Sequence, residues 1–221
     1  MIRNTAPDYV TVPPPAYVER APVRDVLDEA HQLIFQRALR NVLSTDIVET
    51  TFAQIIDRLP LASVALTIRG IEFYEAIINH KALDPEAFLK VKALLRDFDI
   101  ASLELQVEVL ERYQRNTASS KASRLHLIEL VVIAIHRIAI QVYKIGTPLK
   151  ERGLQEDQLC YSSDRYKMRY YPTPFVLRQY ADPKQYREEG IAELPGYWAE
   201  DQIFGGVVVF DRGNGTELIT V

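Results

Sequence analysis

The sequence predicts a mainly α-helical fold: a bundle of about six helices with an extended proline-rich N-terminal arm and a C-terminal β-hairpin. Three observations carry this prediction. Apolar residues recur at helical spacing through the middle of the chain, five prolines fall within residues 1–22, and Asn214-Gly215 follows a β-branched run. We therefore assign an arm at 1–22, a helical bundle at 23–148 and a tyrosine-rich segment with a hairpin, packed on the bundle, at 149–221.

The helices of the bundle are assigned from apolar periodicity and from start and stop signals. We expect them at about 23–43, 46–60, 61–80, 85–98, 99 or 102 to 115, and 121–145. Asp84 followed by Pro85 is a strong start signal, because aspartate caps a helix and proline suits its first position. Gly146 and Pro148 terminate the sixth helix.

The sixth predicted helix carries a polar stripe. At 100° per residue its polar members fall within an arc of about 140°, and most other positions are aliphatic. The stripe comprises His126, Glu129, His136, Arg137, Gln141 and Lys144. No stretch of about 18 residues lacks a charge, so we interpret the helix as a bundle core and not as a membrane span. A helical enzyme, our alternative function, would place its site here, using His126, Glu129 or His136.

The composition changes after the bundle. Seven of the chain's 12 tyrosines lie in the last third: Tyr161, Tyr166, Tyr170, Tyr171, Tyr180, Tyr186 and Tyr197. The run at 165–171 interleaves basic and aromatic residues, which favours a protein-docking surface or a segment that wraps the bundle. Its candidate interaction residues are Arg165, Tyr166, Arg169, Tyr170 and Tyr171. The hairpin is expected at 203–221, and its free edge could support a homo-oligomer.

Net charge and cysteine content narrow the class of protein. The formal charge is −4 and the pI is near 5.7, which argues against a general nucleic-acid binder or a binder of anionic membranes. Cys160 is the single cysteine, so an intrachain disulfide is excluded and a reducing compartment is favoured. No apolar signal segment opens the chain. We expect a cytoplasmic protein.

No pattern of metal ligands or catalytic residues is convincing. His126 and His136 would lie about 15 Å apart along one helix, so they cannot share an ion. Asp28 with His31, and His126 with Glu129, match the di-iron bundle pattern poorly. No histidine accompanies Cys160 in its segment. The sequence therefore predicts no cofactor, no metal and no catalytic residue.

The most specific motif is Pro14-Pro15-x-Tyr17, within the run Pro13-Pro14-Pro15-Ala16-Tyr17. It has the form of the PPxY motif that WW domains bind, and a polyproline II ligand loses little entropy on docking. The prolines would stack on aromatic side chains of the partner, and Tyr17 would fill its specificity pocket. The leading prediction is a non-catalytic interaction or assembly protein that recruits a WW-domain partner. The motif also resembles those in the arms of enveloped-virus matrix proteins, so a matrix-like structural protein is a further alternative.

Overall fold

The fold is mainly helical, as expected. A computed structural model describes residues 18–118, 120–146, 148–155, 158–164, 167–182 and 189–209. Within these residues nine α-helices are present, more than the six predicted. They are α1 Val23–Val26, α2 Glu29–Leu43, α3 Asp46–Asp57, α4 Ala62–Ala65, α5 Glu75–Ile78, α6 Pro85–Asp97, α7 Val107–Gln114, α8 Lys121–Ile145 and α9 Glu193–Phe204.

Two small antiparallel sheets accompany the helices. The strands are β1 Arg20–Pro22, β2 Glu72–Phe73, β3 Glu104–Gln106, β4 Cys160–Asp164 and β5 Lys167–Tyr170. One sheet pairs β1 with β3, and the other has the order β2-β4-β5. In the second sheet Glu72 lies opposite Tyr161, and Tyr161 lies opposite Tyr170.

Helix α8 forms the centre of the molecule. It packs against α2, α3, α7 and α9, and its buried residues include Leu130, Ile135, Ile138 and Val142. Within the described residues, one segment, which begins at Lys121 and includes α8, is long and apolar enough to cross a membrane by length and composition. The core helix of a globular domain has the same composition, and four packed neighbours indicate that role for α8.

The two strongest sequence signals are confirmed. Helix α8 occupies the residues predicted for the sixth helix, and Gly146 is its C-cap. Helix α6 begins at Pro85, and the Asp84 side chain accepts a hydrogen bond from the backbone N–H of Glu86. Both signals are local, so each could be evaluated from a few neighbouring residues.

The predictions of single helices at 23–43 and 61–80 are wrong. The first is divided into α1 and α2 because Leu27 is extended and Asp28 caps α2 by accepting from the His31 N–H. The second is divided into α4, β2 and α5. Gly70 adopts φ +76°, a left-handed conformation that interrupts a right-handed helix and precedes the short strand.

The predicted fifth helix also begins as a strand, since β3 pairs with β1 before α7 starts. The alternating apolar residues Leu103, Leu105 and Val107 account for the difference, because alternation is the pattern of a strand. The β1 residues, which we had assigned to the arm, are therefore part of a sheet.

The C-terminal segment differs from the prediction in two ways. Residues 193–204 form α9, a helix that the sequence analysis missed, so Ile203 and Phe204 are helical and not part of a strand. Residues 207–209 lie in no strand, and 210–221 lie outside the described residues. The hairpin that the structure shows is β4–β5.

Buried side chains form two cores. The larger gathers α2, α3, α7, α8 and α9 around Phe35, Phe52, Tyr113, Leu130 and Trp198. The smaller lies beneath the β2-β4-β5 sheet and includes Phe73, Ile77, Leu159, Tyr171 and Val176. The second core fixes the sheet, and with it the tyrosines that the sheet carries.

The central position of α8 predicts a contrast between two leucines on this helix. Leu130 is 0% exposed and Leu125 is 62% exposed. We expect Leu130→Ala to lower the free energy of unfolding by about 2–5 kcal/mol, because it leaves a cavity. Leu125→Ala should change it by less than about 0.5 kcal/mol. Urea unfolding measures both, and equal effects would contradict the assigned core.

Candidate functional site

Only part of the predicted interaction surface falls in described residues. Pro14, Pro15 and Tyr17 lie outside them, as do Arg165 and Tyr166. Arg169 and Tyr170 are on β5, and Tyr171 directly follows it. The role of these residues therefore stays a prediction, and the described part can be examined for what it could bind.

Strand pairing brings three tyrosines together on the β2-β4-β5 sheet. Tyr161 on β4 lies opposite Tyr170 on β5, and Tyr74 directly follows β2. The ring centroids of Tyr74 and Tyr161 are 5.3 Å apart, and those of Tyr161 and Tyr170 are 6.0 Å apart. Both pairs are tilted by about 45°, and both separations lie in the range of interacting aromatic pairs. Tyr74 is 39% exposed and Tyr170 50% exposed, so solvent reaches both rings.

Hydrogen bonds hold the tyrosine hydroxyls in place. Tyr161 donates to Glu72 Oε2 over 2.7 Å and Ser163 donates to Glu72 Oε1 over 2.9 Å, and these bonds lower the pKa of Glu72. The bond to Glu72 raises the pKa of Tyr161, and a hydrogen bond with Tyr170 raises the pKa of Tyr74. Both hydroxyls therefore keep their protons at neutral pH and serve as hydrogen-bonding groups, not as bases.

A shallow groove of about 850 Å³ runs beside two of these tyrosines. Its aromatic and aliphatic lining consists of Tyr74, Tyr170, Tyr171, Ala76, Leu154, Leu159 and Pro172. Glu75, Gln155 and Gln158 supply the main polar side chains. We call this the tyrosine groove. An exposed apolar surface with a few polar groups is typical of a protein-binding site.

Of the two neighbours of Tyr170 that the sequence also suggested, Arg169 is exposed and Tyr171 is buried. Tyr171 is 2% exposed and donates a hydrogen bond to Ser162 Oγ over 3.0 Å. Arg169 donates to the carbonyl of Ala181 over 2.7 Å, which ties β5 to the segment that follows it. Of the two predicted tyrosines that the structure describes on this segment, Tyr170 has the accessible ring. The sequence did not identify Tyr74 and Tyr161 as site residues, because long-range strand pairing places them beside Tyr170 and no sequence motif marks them.

The His136 part of the polar stripe of α8 is covered by α9. His136 Nδ1 lies 2.6 Å from Glu200 Oε1, and its Nε2 lies 2.9 Å from Glu193 Oε2. Both glutamates are buried. Burial acts to lower the pKa of His136, but hydrogen bonds and attraction from the two carboxylates outweigh it and raise the pKa from 6.5 to about 8. At neutral pH the ring is an imidazolium that donates from both nitrogens.

A glycine lets α9 approach the His136 ring. A Cβ atom at Gly196 would lie 2.5 Å from His136 Cε1 and Nε2, which is closer than atoms can pack. Tyr197 packs edge-on against the same ring with centroids 4.8 Å apart. The imidazole is thus enclosed by two carboxylates, a backbone and a tyrosine, and it has no nitrogen left for a substrate.

Four further stripe residues, Arg137, Lys144, Glu129 and His126, also make ion pairs, whereas Gln141 is exposed. Glu189 receives hydrogen bonds from Lys144 and Arg137, which lower its pKa to about 2 against the opposing effect of burial. Arg20 on β1 lies 3.3 Å from the same carboxylate. Nearer the N-terminus of α8, Glu129 is buried and pairs with Arg112 over 3.4 Å, and His126 lies 3.6 Å from it.

Cys160 and the acidic side chains show no catalytic or metal-binding arrangement in the described residues. Cys160 is buried, its thiol donates to the Thr173 carbonyl over 3.5 Å, and burial raises its pKa from 9.0 to about 12. Such a thiol is a poor nucleophile. No cluster of three His, Cys, Asp or Glu side chains suited to a metal occurs among these residues.

Comparison of the chain with protein families, with curated proteins and with solved structures finds no match in any of the three.

The His136 contacts predict a pH-dependent stability. Since the pKa is raised from 6.5 to about 8, the stabilisation is complete below pH 6.5 and is lost as pH rises through 8. The free-energy advantage of the native chain over His136→Gln should shrink by about 2 kcal/mol across this range. Urea unfolding at pH 6 and pH 9 measures it. The same loss of stability between pH 6 and pH 9 should occur in a His126→Gln background, which is the control. If the difference in unfolding free energy between the native chain and His136→Gln did not change with pH, the ion pair would be contradicted.

Gly196 gives a second, independent check of the same contact. An alanine in a helix interior normally stabilises by about 0.5–1 kcal/mol relative to glycine. Here we expect Gly196→Ala to destabilise the native chain by about 1–3 kcal/mol, because its Cβ meets the His136 ring. In a His136→Ala background, Gly196→Ala should instead stabilise the chain, because the ring that its Cβ would meet is absent. A double-mutant cycle by urea unfolding measures the coupling, and a stabilising Gly196→Ala in the native chain would refute the close contact.

Proposed function

We propose that the protein is a non-catalytic interaction protein of the cytoplasm, with two protein-binding surfaces. The arm residues Pro14, Pro15 and Tyr17 recruit a WW-domain partner. The tyrosine groove on the folded body binds a second protein segment. The chain then acts as an adaptor or assembly component.

The observation that carries this proposal is the exposure of Tyr74 and Tyr170 beside an apolar groove. Tyrosine is enriched at binding hot spots, because its ring contributes a large contact area while few rotatable bonds are fixed. The tyrosine hydroxyls at this site can hydrogen-bond to a peptide backbone. Tyr74 and Tyr170 thus form an exposed aromatic surface that belongs to neither buried core.

The arm supports the proposal through its chemistry. Three consecutive prolines remove backbone donors and restrict φ, which favours the polyproline II conformation that aromatic grooves bind. Tyr17 stands at the spacing that the PPxY motif requires. No charged residue lies between Tyr9 and Val18, so the segment suits an apolar groove on a partner.

The enzyme alternative receives less support from the contacts of α8. Of the three residues named for that site, His136 is enclosed between Glu193, Glu200 and the backbone of Gly196, and Glu129 is buried against Arg112, with His126 beside it. A general acid or base must reach a substrate proton within hydrogen-bond distance. The described contacts give His136 a structural role at the α8–α9 interface.

The proposal predicts that the full chain binds a PPxY-specific WW domain through Tyr17. We expect Tyr17→Ala to weaken binding by about 30-fold or more, as expected for a hot-spot side chain. Tyr9→Ala is the matched control, because it removes a tyrosine from the same arm outside the motif. Isothermal titration measures both. Equal affinities for the native chain and Tyr17→Ala would refute the WW-binding role.

A further inference from the structure

The outer edge of β5 has backbone groups without a backbone partner. In the sheet order β2-β4-β5, strand β5 pairs with β4 on one side and, among the described residues, with no strand on the other. The Tyr171 N–H donates to the Cys160 carbonyl, which sets the alternation of hydrogen bonds along the pair. The N–H and C=O groups of Arg169 therefore point towards β4. Those of Met168 and Tyr170 point to the open side, where no described backbone group pairs with them.

The side chains of Met168 and Tyr170 are also accessible. Met168 is 54% exposed and Tyr170 is 50% exposed, and alternation along the strand places both on one face of the sheet. On this face the rings of Tyr74, Tyr161 and Tyr170 form a row that ends at the open edge. An apolar residue that paired with Tyr170 from outside would continue the row, as cross-strand aromatic and β-branched pairs do.

Arg169 gives the other face of this edge a positive charge. It is exposed, and one of its nitrogens donates to the Ala181 carbonyl over 2.7 Å. Among the described residues no carboxylate pairs with it. A guanidinium has five N–H donors, so donors remain for a ligand. An acidic residue directly opposite Arg169 on an added strand would form a stabilising cross-strand pair.

A second copy of β5 does not suit this edge. In one antiparallel register of two copies, Arg169 lies opposite Arg169 of the other copy, and in another it lies opposite Lys167. Like charges directly opposite each other are destabilising. A third register places Met168 opposite Pro172, which has no N–H to donate. The residues of β5 therefore favour a partner strand of different sequence.

We infer that the open edge of β5 binds an extended segment of another protein by β-sheet addition. In this segment, apolar residues opposite Met168 and Tyr170 alternate with an acidic residue opposite Arg169. Backbone hydrogen bonds to Met168 and Tyr170 provide the pairing, and the alternate side chains provide the selectivity. The inference rests on the proposed function, because it specifies the segment that the folded body binds beside the tyrosine groove.

Nitrogen-isotope labelling of methionine tests this in the full chain by NMR. The two methionines are Met1 and Met168, so Met168 gives the single internal methionine amide signal. The probe is an acetylated peptide of about seven alternating Val and Glu residues, the length of a typical strand. We expect saturating peptide to shift the Met168 signal and to slow its hydrogen exchange about tenfold or more. The same peptide N-methylated at each Val cannot form the hydrogen bonds and should have neither effect.

A proline substitution provides a second test of the same hydrogen bonds. Met168→Pro removes the outward N–H and leaves the bonds to β4, so it should weaken peptide binding about tenfold or more. Met168→Leu keeps the N–H and an apolar side chain, and this matched control should bind like the native chain. Isothermal titration measures both variants, and circular dichroism checks that they are folded. If Met168→Pro unfolds, the N-methylated peptide tests the same bonds on the native chain.

Charge reversal tests the selectivity. The native chain should prefer the Val-Glu peptide to a Val-Lys peptide by about threefold or more, and Arg169→Glu should reverse this preference. An unchanged Met168 signal, equal binding of the N-methylated peptide, or an unchanged preference in Arg169→Glu would overturn the inference. Peptide binding that leaves the Met168 amide unchanged would still support a protein-binding tyrosine groove. Titration of the same chain with a WW domain tests the proposed role of Tyr17 separately.

Discussion

The burial of α8 is the constraint on which the rest of the structure depends. The helix is 25 residues long and apolar over most of its circumference, so one neighbouring layer cannot cover it. Helices α2, α3 and α7 pack against part of its surface, and α9 packs against the polar stripe. Because a buried charge is costly without a partner, α9 must bring carboxylates to the stripe. Glu193 and Glu200 on His136 meet that requirement.

Local sequence signals predicted the elements that depend on local interactions. Helix α6 follows from Asp84-Pro85, and α8 from a long apolar period ending at Gly146. Those elements could be read from the sequence because capping and periodicity act within a few residues. The strand β2 could not, because Glu72 and Phe73 become a strand by pairing with Tyr161 and Cys160, far along the chain. Helix α9 was missed because it is apolar on several faces, which hides helical periodicity.

The candidate site also combines a residue that the local sequence indicates with residues that only long-range pairing places there. Tyr170 could be selected from composition, since it lies in a run of basic and aromatic residues. Its neighbours Tyr74 and Tyr161 required the register of the β2-β4-β5 sheet. Tyr171, adjacent in sequence to Tyr170, points the other way and is buried, as alternation along a strand demands. Tyr170 and Tyr171 are therefore adjacent in sequence but differ in exposure. Tyr74, Tyr161 and Tyr170 are distant in sequence but lie together on the sheet.

The order in which the chain is synthesised gives the α8–α9 contact a further consequence. The helix that covers the polar stripe lies 48 to 59 residues beyond the end of α8. At about 5–20 residues per second, α8 is complete for roughly 3–12 s before α9 has been made. During this interval the face of α8 that α9 will cover has no partner within the nascent chain.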